Sequence, residues 1–130
     1  MKRIAILVFV ICSTFAACSN DDSTTQEEDN AALKVMYDEI ITLSLVNSLP
    51  CTNPEEWAFK GIGTKPCGGP NSFLIYSKKT NLTVLETKIK AYDIAIDNFN
   101  KKWGLISTCD ITSVPKSVSC VEGKPTLIYQ

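Results

Sequence analysis

Apolar side chains recur every three or four residues between positions 82 and 103. This spacing places them along one stripe of an α-helix, predicted over about residues 83–103. At 1.5 Å per residue such a helix would be about 30 Å long, enough to cross a small domain. We therefore expect the helix to bury its stripe and to organise the core. The stripe consists of Leu82, Leu85, Ile89, Tyr92, Ile96, Phe99 and Trp103.

The two ends of this helix carry signals of their own. Thr83 and Glu86 have the spacing of a capping box, which predicts the N-terminus. Lys101 and Lys102 fall in the last turn, where positive charge is favourable, and Gly104 suits the left-handed residue that follows many helices.

A second helix is predicted over about residues 29–46, before Pro50. The β-branched residues from Ile40 to Val46 leave an extended conformation open for that half. The apolar residues at mostly helical spacings are Leu33, Met36, Tyr37, Ile40, Ile41 and Leu43.

Shorter segments alternate apolar and polar residues, as strands do. A turn is predicted at residues 123–125, where Gly123 and Pro125 stand. Together these elements predict an α+β domain over residues 31–130, in which a small antiparallel sheet is braced by the long helix. The predicted strands lie at 57–61, 73–76, 118–121 and 126–129.

Residues 1–17 have the three-part plan of a signal peptide. Lys2 and Arg3 precede an apolar run over residues 4–11 that is far shorter than the roughly 20 residues of a membrane-spanning helix. Small residues then lead to Cys18, and the segment from Phe15 resembles the bacterial lipobox.

We expect Cys18 to be acylated and to hold the protein to a membrane. Two or three acyl chains anchor a protein firmly, whereas one does so only marginally. Cys12 fits less well because the bulky Ile11 precedes it. A secreted protein cleaved after Ala17, with a free thiol, is the alternative.

Residues 18–30 are predicted to be a flexible acidic tether. The twelve residues after Cys18, SNDDSTTQEEDN, contain no aromatic or branched aliphatic side chain that could offset the entropy of ordering. Their acidic start resembles the export signal that sends Bacteroidota lipoproteins to the outer face of the outer membrane. The expected location is therefore the outer membrane, at the cell surface, although a plain spacer explains the same residues.

The charge balance disfavours polyanionic partners. Loss of Lys2 and Arg3 with the signal peptide would change the formal charge of −1 by two units to −3. Neither nucleic acid nor acidic lipid is indicated as a partner.

Four cysteines remain in the predicted domain: Cys51, Cys67, Cys109 and Cys120. An even number in an exported domain predicts two disulfides. Four cysteines allow three connectivities, and sequence does not choose among them. Short-loop closure favours Cys51–Cys67 with Cys109–Cys120.

The chain contains no histidine. This excludes Ser-His-Asp and Cys-His catalysis and the common zinc-hydrolase shell. Glu86, Asp93 and Asp97 recur at helical spacing, but they flank the apolar stripe among lysines and are interpreted as a solvated face. We predict neither an enzyme nor a metal or cofactor site.

The most distinctive loop is Cys67-Gly68-Gly69-Pro70. Paired glycines allow backbone conformations closed to other residues, and proline stiffens the exit. A tight turn anchored by a disulfide is one interpretation, and a rigid loop that presents itself to a partner is the other. The candidate binding residues are Trp57, Phe59, Gly68, Gly69 and Pro70.

Two stretches resemble small uncharacterised lipoproteins of the Bacteroidota. They are EWAFKGIG leading to KPCGGP, over residues 56–70, and NKKWGLISTC, over residues 100–109, leading to Cys120. The resemblance implies a four-cysteine exported domain and no particular activity.

The first functional hypothesis is a monomeric, non-enzymatic envelope domain that binds a protein or glycan partner. The alternative is an inhibitor of an extracytoplasmic hydrolase, a protease or lysozyme, that docks through Gly61–Asn71. A rigid, disulfide-clamped loop loses little entropy on docking, which favours either function. Exposed aromatic residues beside the loop would favour binding, and buried ones would belong to the core.

Overall fold

The computed structural model describes residues 24–107 and 109–129. The predicted signal peptide and Cys18 lie outside these residues. Two helices pack with two antiparallel hairpins, so the predicted α+β class and the two disulfides are confirmed. The elements are α1 (Gln26–Ser44), a 3-10 turn (Pro54–Glu56), β1 (Trp57–Thr64), β2 (Pro70–Ser77), α2 (Leu82–Lys102), β3 (Ser117–Val121) and β4 (Lys124–Ile128).

The long helix α2 lies within one residue of its prediction, but its N-terminal cap differs. The side chain of Asn81, not Thr83, accepts the hydrogen bond from the backbone N–H of Val84. At the other end Gly104 is left-handed, with φ 59°. The N–H of Leu105 donates to the Asn100 carbonyl at 2.9 Å, which completes a Schellman motif.

The helix α1 begins earlier than predicted and removes residues 26–30 from the proposed tether. Thr25 and Glu28 form a capping box, and acidic residues fill the first turn, where they favour the positive end of the helix dipole. The prediction from composition was wrong here because it ignored capping. The helix continues to Ser44, so its second half is not extended.

The two helices lie antiparallel and contact along their length. Asp29 near the start of α1 accepts a hydrogen bond from Trp103 Nε1 at the end of α2, at 3.0 Å. The rings of Tyr37 and Tyr92 are 5.8 Å apart at mid-helix. Near the start of α2, Thr80 Oγ1 donates to the Leu43 carbonyl at 2.6 Å. These contacts fix the relative position of the helices at both ends.

The core lies between the helices and the β1–β2 hairpin. The strands pair in antiparallel register, and Ile62 and Leu74 project from one face of the hairpin towards the helices. There they form a single buried cluster with residues of both helices: Ile40, Leu85 and Ile89.

The α2 stripe is buried only in its first half. Leu85 and Ile89 are buried, whereas Leu82 is exposed at the helix start. The later members of the stripe, Tyr92, Ile96, Phe99 and Trp103, are half-buried. The expectation that the whole stripe is covered was therefore wrong, because β1 and β2 cover only part of a helix this long.

The β3–β4 hairpin is joined to the rest by Cys51–Cys120 and by the Cys51 N–H, which donates to the Gly123 carbonyl at 2.8 Å. Its turn is Glu122-Gly123, both with positive φ, one residue before the predicted position. Two such residues match the favoured hairpin turn with two central residues.

The favoured disulfide pairing was wrong. Cys51 pairs with Cys120 and Cys67 with Cys109, so one bridge is nested inside the other. The pairing with the shortest loops does not form, because the fold brings β3 against β1 and so places Cys120 beside Cys51. Within the described part of the chain, neither helix is long and apolar enough to cross a membrane.

Candidate functional site

Two loops meet at the tip of the β1–β2 hairpin and are joined by the Cys67–Cys109 disulfide. The first is the hairpin turn, residues 65–69, and the second is the segment 109–114. We call this pair the stapled loops. They lie at the end of the hairpin and away from the buried cluster, so they are a surface feature built on a rigid base.

The hairpin turn is closed by its own backbone. The N–H of Lys65 donates to the Gly69 carbonyl at 3.0 Å, and the N–H of Gly68 donates to the Lys65 carbonyl at 2.9 Å. Gly68 and Gly69 have φ values of 92° and 80°, which only glycine adopts readily. A tight, disulfide-anchored turn is therefore what the Cys67-Gly68-Gly69-Pro70 sequence forms.

The second loop has no secondary structure of its own but is held at several points. Lys65 Nζ donates to the Asp110 carbonyl at 2.5 Å, and Thr112 Oγ1 donates to the Pro70 carbonyl at 2.8 Å. Further on, Pro115 is buried and the Lys116 N–H donates to the Ile128 carbonyl at 2.8 Å. The segment is thus irregular without being loose.

Large aliphatic side chains project from this braced region into solvent. Ile111 is 93% exposed and Ile106, just before the bridge, is 95% exposed. Val114 is exposed as well. A cleft of about 400 Å³ runs between the two loops, with Phe73 among its lining residues. An aliphatic surface around a fixed disulfide is suited to docking a protein.

The structure divides the predicted binding residues into two groups. Gly68 and Gly69 lie in the stapled loops, and Pro70 follows them as the first residue of β2. Trp57 was wrongly placed with them, because it is only 5% exposed and belongs to the core. Phe59 is half-buried and packs edge-to-face on Phe73, with ring centroids 5.9 Å apart. The apolar character of the site therefore comes mainly from Ile106, Ile111 and Val114.

The segment 109–114 was not predicted as part of the site. Its single isoleucine and valine stand among Ser, Thr and Pro and have no helical or strand period. A usable signal did exist. An unbroken run without helix or strand pattern begins at a cysteine and carries bulky aliphatic residues that no predicted element would cover.

Asp93 is a half-buried carboxylate of α2 that accepts a hydrogen bond from the backbone N–H of Gly63 at 2.7 Å. Burial raises the pKa of Asp93 above its ordinary value, against the opposing effects of the Gly63 N–H and the Lys60 charge. Burial also raises the pKa of the neighbouring Tyr92 hydroxyl. The hydrogen bond from Gly63 to Asp93 joins β1 to α2.

A second polar cluster joins the start of α1 to the C-terminal end of α2. Lys102 Nζ lies 2.5 Å from Asp29 Oδ2, and Thr24 donates to the same carboxylate at 2.6 Å. Hydrogen bonds from Lys102 and Thr24 lower the pKa of Asp29. Beside this cluster a groove of about 310 Å³ runs between the helices and is lined by Leu33, Met36 and Phe99 among others.

Over residues 24–107 and 109–129, no group of three or more His, Cys, Asp or Glu side chains is placed to hold a metal ion.

The chain was compared with protein-family models, curated proteins and solved structures. None of them matches it.

Proposed function

We propose that this chain is a lipid-anchored, non-enzymatic binding domain of the bacterial cell envelope, and that the stapled loops are its docking surface. The lipobox and the resemblance to Bacteroidota lipoproteins support the anchor and the location at the outer membrane. The exposure of Ile106 and Ile111 on a covalently braced segment carries the proposal for binding. The partner is a protein, because the site offers aliphatic side chains.

The exposed side chains of Ile106 and Ile111 would gain free energy if a partner buried them. Fully burying an isoleucine side chain contributes about 1.5–3 kcal/mol, which the free protein forgoes at both positions. The bridge and the Thr112 hydrogen bond already hold the backbone in place. Less conformational entropy is therefore lost when a partner covers these side chains.

Photo-crosslinking in cells tests the docking surface. A benzophenone amino acid is introduced in place of Ile111, or in place of Val35 as the control. Val35 is an aliphatic residue of α1 that is 69% exposed. We expect a discrete crosslinked band from position 111 and none from position 35.

Two outcomes would overturn the docking surface. One is the absence of any crosslink at position 111, and the other is an identical set of bands from both positions. The variant with Cys67→Ser and Cys109→Ser should weaken the band, because it frees the loops while the Cys51–Cys120 bridge remains.

Membrane fractionation tests the proposed anchor. Cys18→Ser removes the acylated sulfur and should move the protein from the membrane to the soluble fraction. Cys12→Ser is the matched control and should leave it in the membrane fraction. If Cys18→Ser stays tightly bound to membranes, the anchor is not the lipid on this cysteine.

A further inference from the structure

The segment from Asp110 to Val114 is irregular and exposes the side chain of Ile111 to solvent. Cys109 is left-handed, with φ 58°, so the chain turns there, and the following residues run without a helix, turn or sharp bend. The Thr112 side chain points inwards to the Pro70 carbonyl. In an extended chain neighbouring side chains alternate, which agrees with the outward projection of Ile111.

The Ile111 backbone is also available for binding. Among the described residues neither its N–H nor its carbonyl takes part in a hydrogen bond. A serine protease binds its substrate through these backbone groups. The side chain of the residue before the cleaved bond enters a specificity pocket. Ile111 presents both the free backbone and the projecting side chain.

We propose that the stapled loops inhibit a serine protease, and that Ile111 occupies its specificity pocket. This proposal rests on the proposed binding function and names the class of partner. An isoleucine suits a small apolar pocket of the elastase type. It does not suit the acidic pocket of trypsin-like enzymes.

The bracing explains why the loop inhibits and is not simply digested. The protease serine oxygen adds to the Ile111 carbonyl carbon, and the Thr112 nitrogen leaves with a proton. Thr112 stays tied to Pro70, and Ile111 stays tied through Cys109. The Thr112 amine therefore remains close to the ester, attacks it, re-forms the peptide bond and releases the serine hydroxyl. Water has little time to complete hydrolysis.

Replacement of Ile111, which is proposed to occupy the specificity pocket, tests the proposal. The full chain, purified in mild detergent, is assayed against neutrophil elastase and trypsin with chromogenic substrates. We expect the wild type to inhibit elastase and Ile111→Lys to inhibit trypsin instead. Each inhibition constant should change by roughly 100-fold. Val35→Lys, at an exposed aliphatic residue of α1 outside the docking surface, should behave as the wild type.

Thr112→Val tests the bracing with little change in side-chain shape. It removes the hydrogen bond to Pro70 and should convert the inhibitor into a substrate, cut between residues 111 and 112 and detected by mass spectrometry. Equal rates of cleavage in wild type and Thr112→Val would overturn the role of this residue as a positioning residue.

The proposal is overturned if the wild type does not slow elastase, or if Ile111→Lys gains no inhibition of trypsin. A crosslink at position 111 without any protease inhibition would reject the protease as partner but retain the docking surface. Absence of both the crosslink at position 111 and the protease inhibition would reject the docking surface as well.

Discussion

The carboxylate of Asp93 on α2 accepts a hydrogen bond from the backbone N–H of Gly63 on β1, with Oδ1 2.7 Å from the nitrogen. Gly63 is buried, and its φ of 74° makes any other residue strained there. This contact ties the long helix to the strand that leads into the stapled loops. It satisfies a donor that water does not reach easily.

Asp93→Ala should therefore lower the free energy of unfolding by about 1–3 kcal/mol, because it leaves a buried N–H without an acceptor. Asp93→Asn keeps an oxygen acceptor and should cost clearly less. Asp97→Asn, which touches only the exposed pair with Lys101, should stay within about 0.5 kcal/mol of wild type. Urea denaturation measures all three. Equal losses from Asp93→Ala and Asp93→Asn would contradict the assigned hydrogen bond.

The two disulfides should differ in how readily they are reduced. Cys67 and Cys109 are exposed, whereas Cys51 is buried, so a thiol reaches the inner bridge first. Alkylation during mild reduction, followed by peptide mass spectrometry, should label Cys67 and Cys109 before the other two. Simultaneous labelling of all four cysteines would argue against this difference.

Removal of the outer bridge by Cys51→Ser with Cys120→Ser should lower the free energy of unfolding by about 2–5 kcal/mol.

Neighbouring residues on α2 should respond very differently to truncation. Leu85 is 0% exposed, so Leu85→Ala should cost about 2–5 kcal/mol through lost burial and the cavity left behind. Val84→Ala, one residue earlier and exposed, should cost less than about 1 kcal/mol. Ile96→Ala should fall between them because this side chain is half-buried. Chemical denaturation gives the order, and equal losses at positions 84 and 85 would show that the helix faces are misassigned.

The Asp29 carboxyl should make the free energy of unfolding depend on pH in the acidic range. Its folded-state pKa lies below the ordinary value of 3.8, because Lys102 and Thr24 donate to the carboxylate. The folded protein thus binds fewer protons at this site than the unfolded chain. The stabilisation is complete above the unfolded pKa and is lost as pH falls through the folded pKa. Burial raises the pKa of Asp93, so the titration of this carboxyl changes stability with pH in the opposite direction.

Urea midpoints between pH 6 and pH 3 measure this dependence. Asp29→Asn should flatten the loss of stability below about pH 4, where the unfolded carboxyl titrates. Lys102→Met removes the main cause of the lowered pKa and should flatten it in the same way. The double variant should resemble either single one. Fully additive effects would mean that the two side chains act independently.

Local signals predicted the helices well. The stripe of α2 and the Gly104 terminus lie within one segment of chain, so nearby residues decide them. The start of α1 was missed because Thr25 and Glu28 are polar and lie outside any apolar pattern, although their capping-box spacing is visible in the sequence. Asn81 was missed for the same reason.

Features set by tertiary packing could not be predicted in this way. Alternation identified the strand that contains Trp57, but it does not say which face another element covers. The disulfide pairing depends on where the β3–β4 hairpin docks, which is a property of the assembled core. The exposure of Ile111 likewise depends on distant segments, since nothing in residues 24–107 and 109–129 covers this side chain.

The nested bridges have a topological effect on a cut chain. Any single peptide bond broken between residues 51 and 120 leaves two fragments that Cys51–Cys120 still joins. A nick between Ile111 and Thr112 falls inside this span. The two new ends therefore cannot diffuse apart, and the nicked molecule would separate into pieces on a gel only after reduction. Breakage of the exposed loop is thus compatible with survival of the whole molecule in an environment rich in proteases.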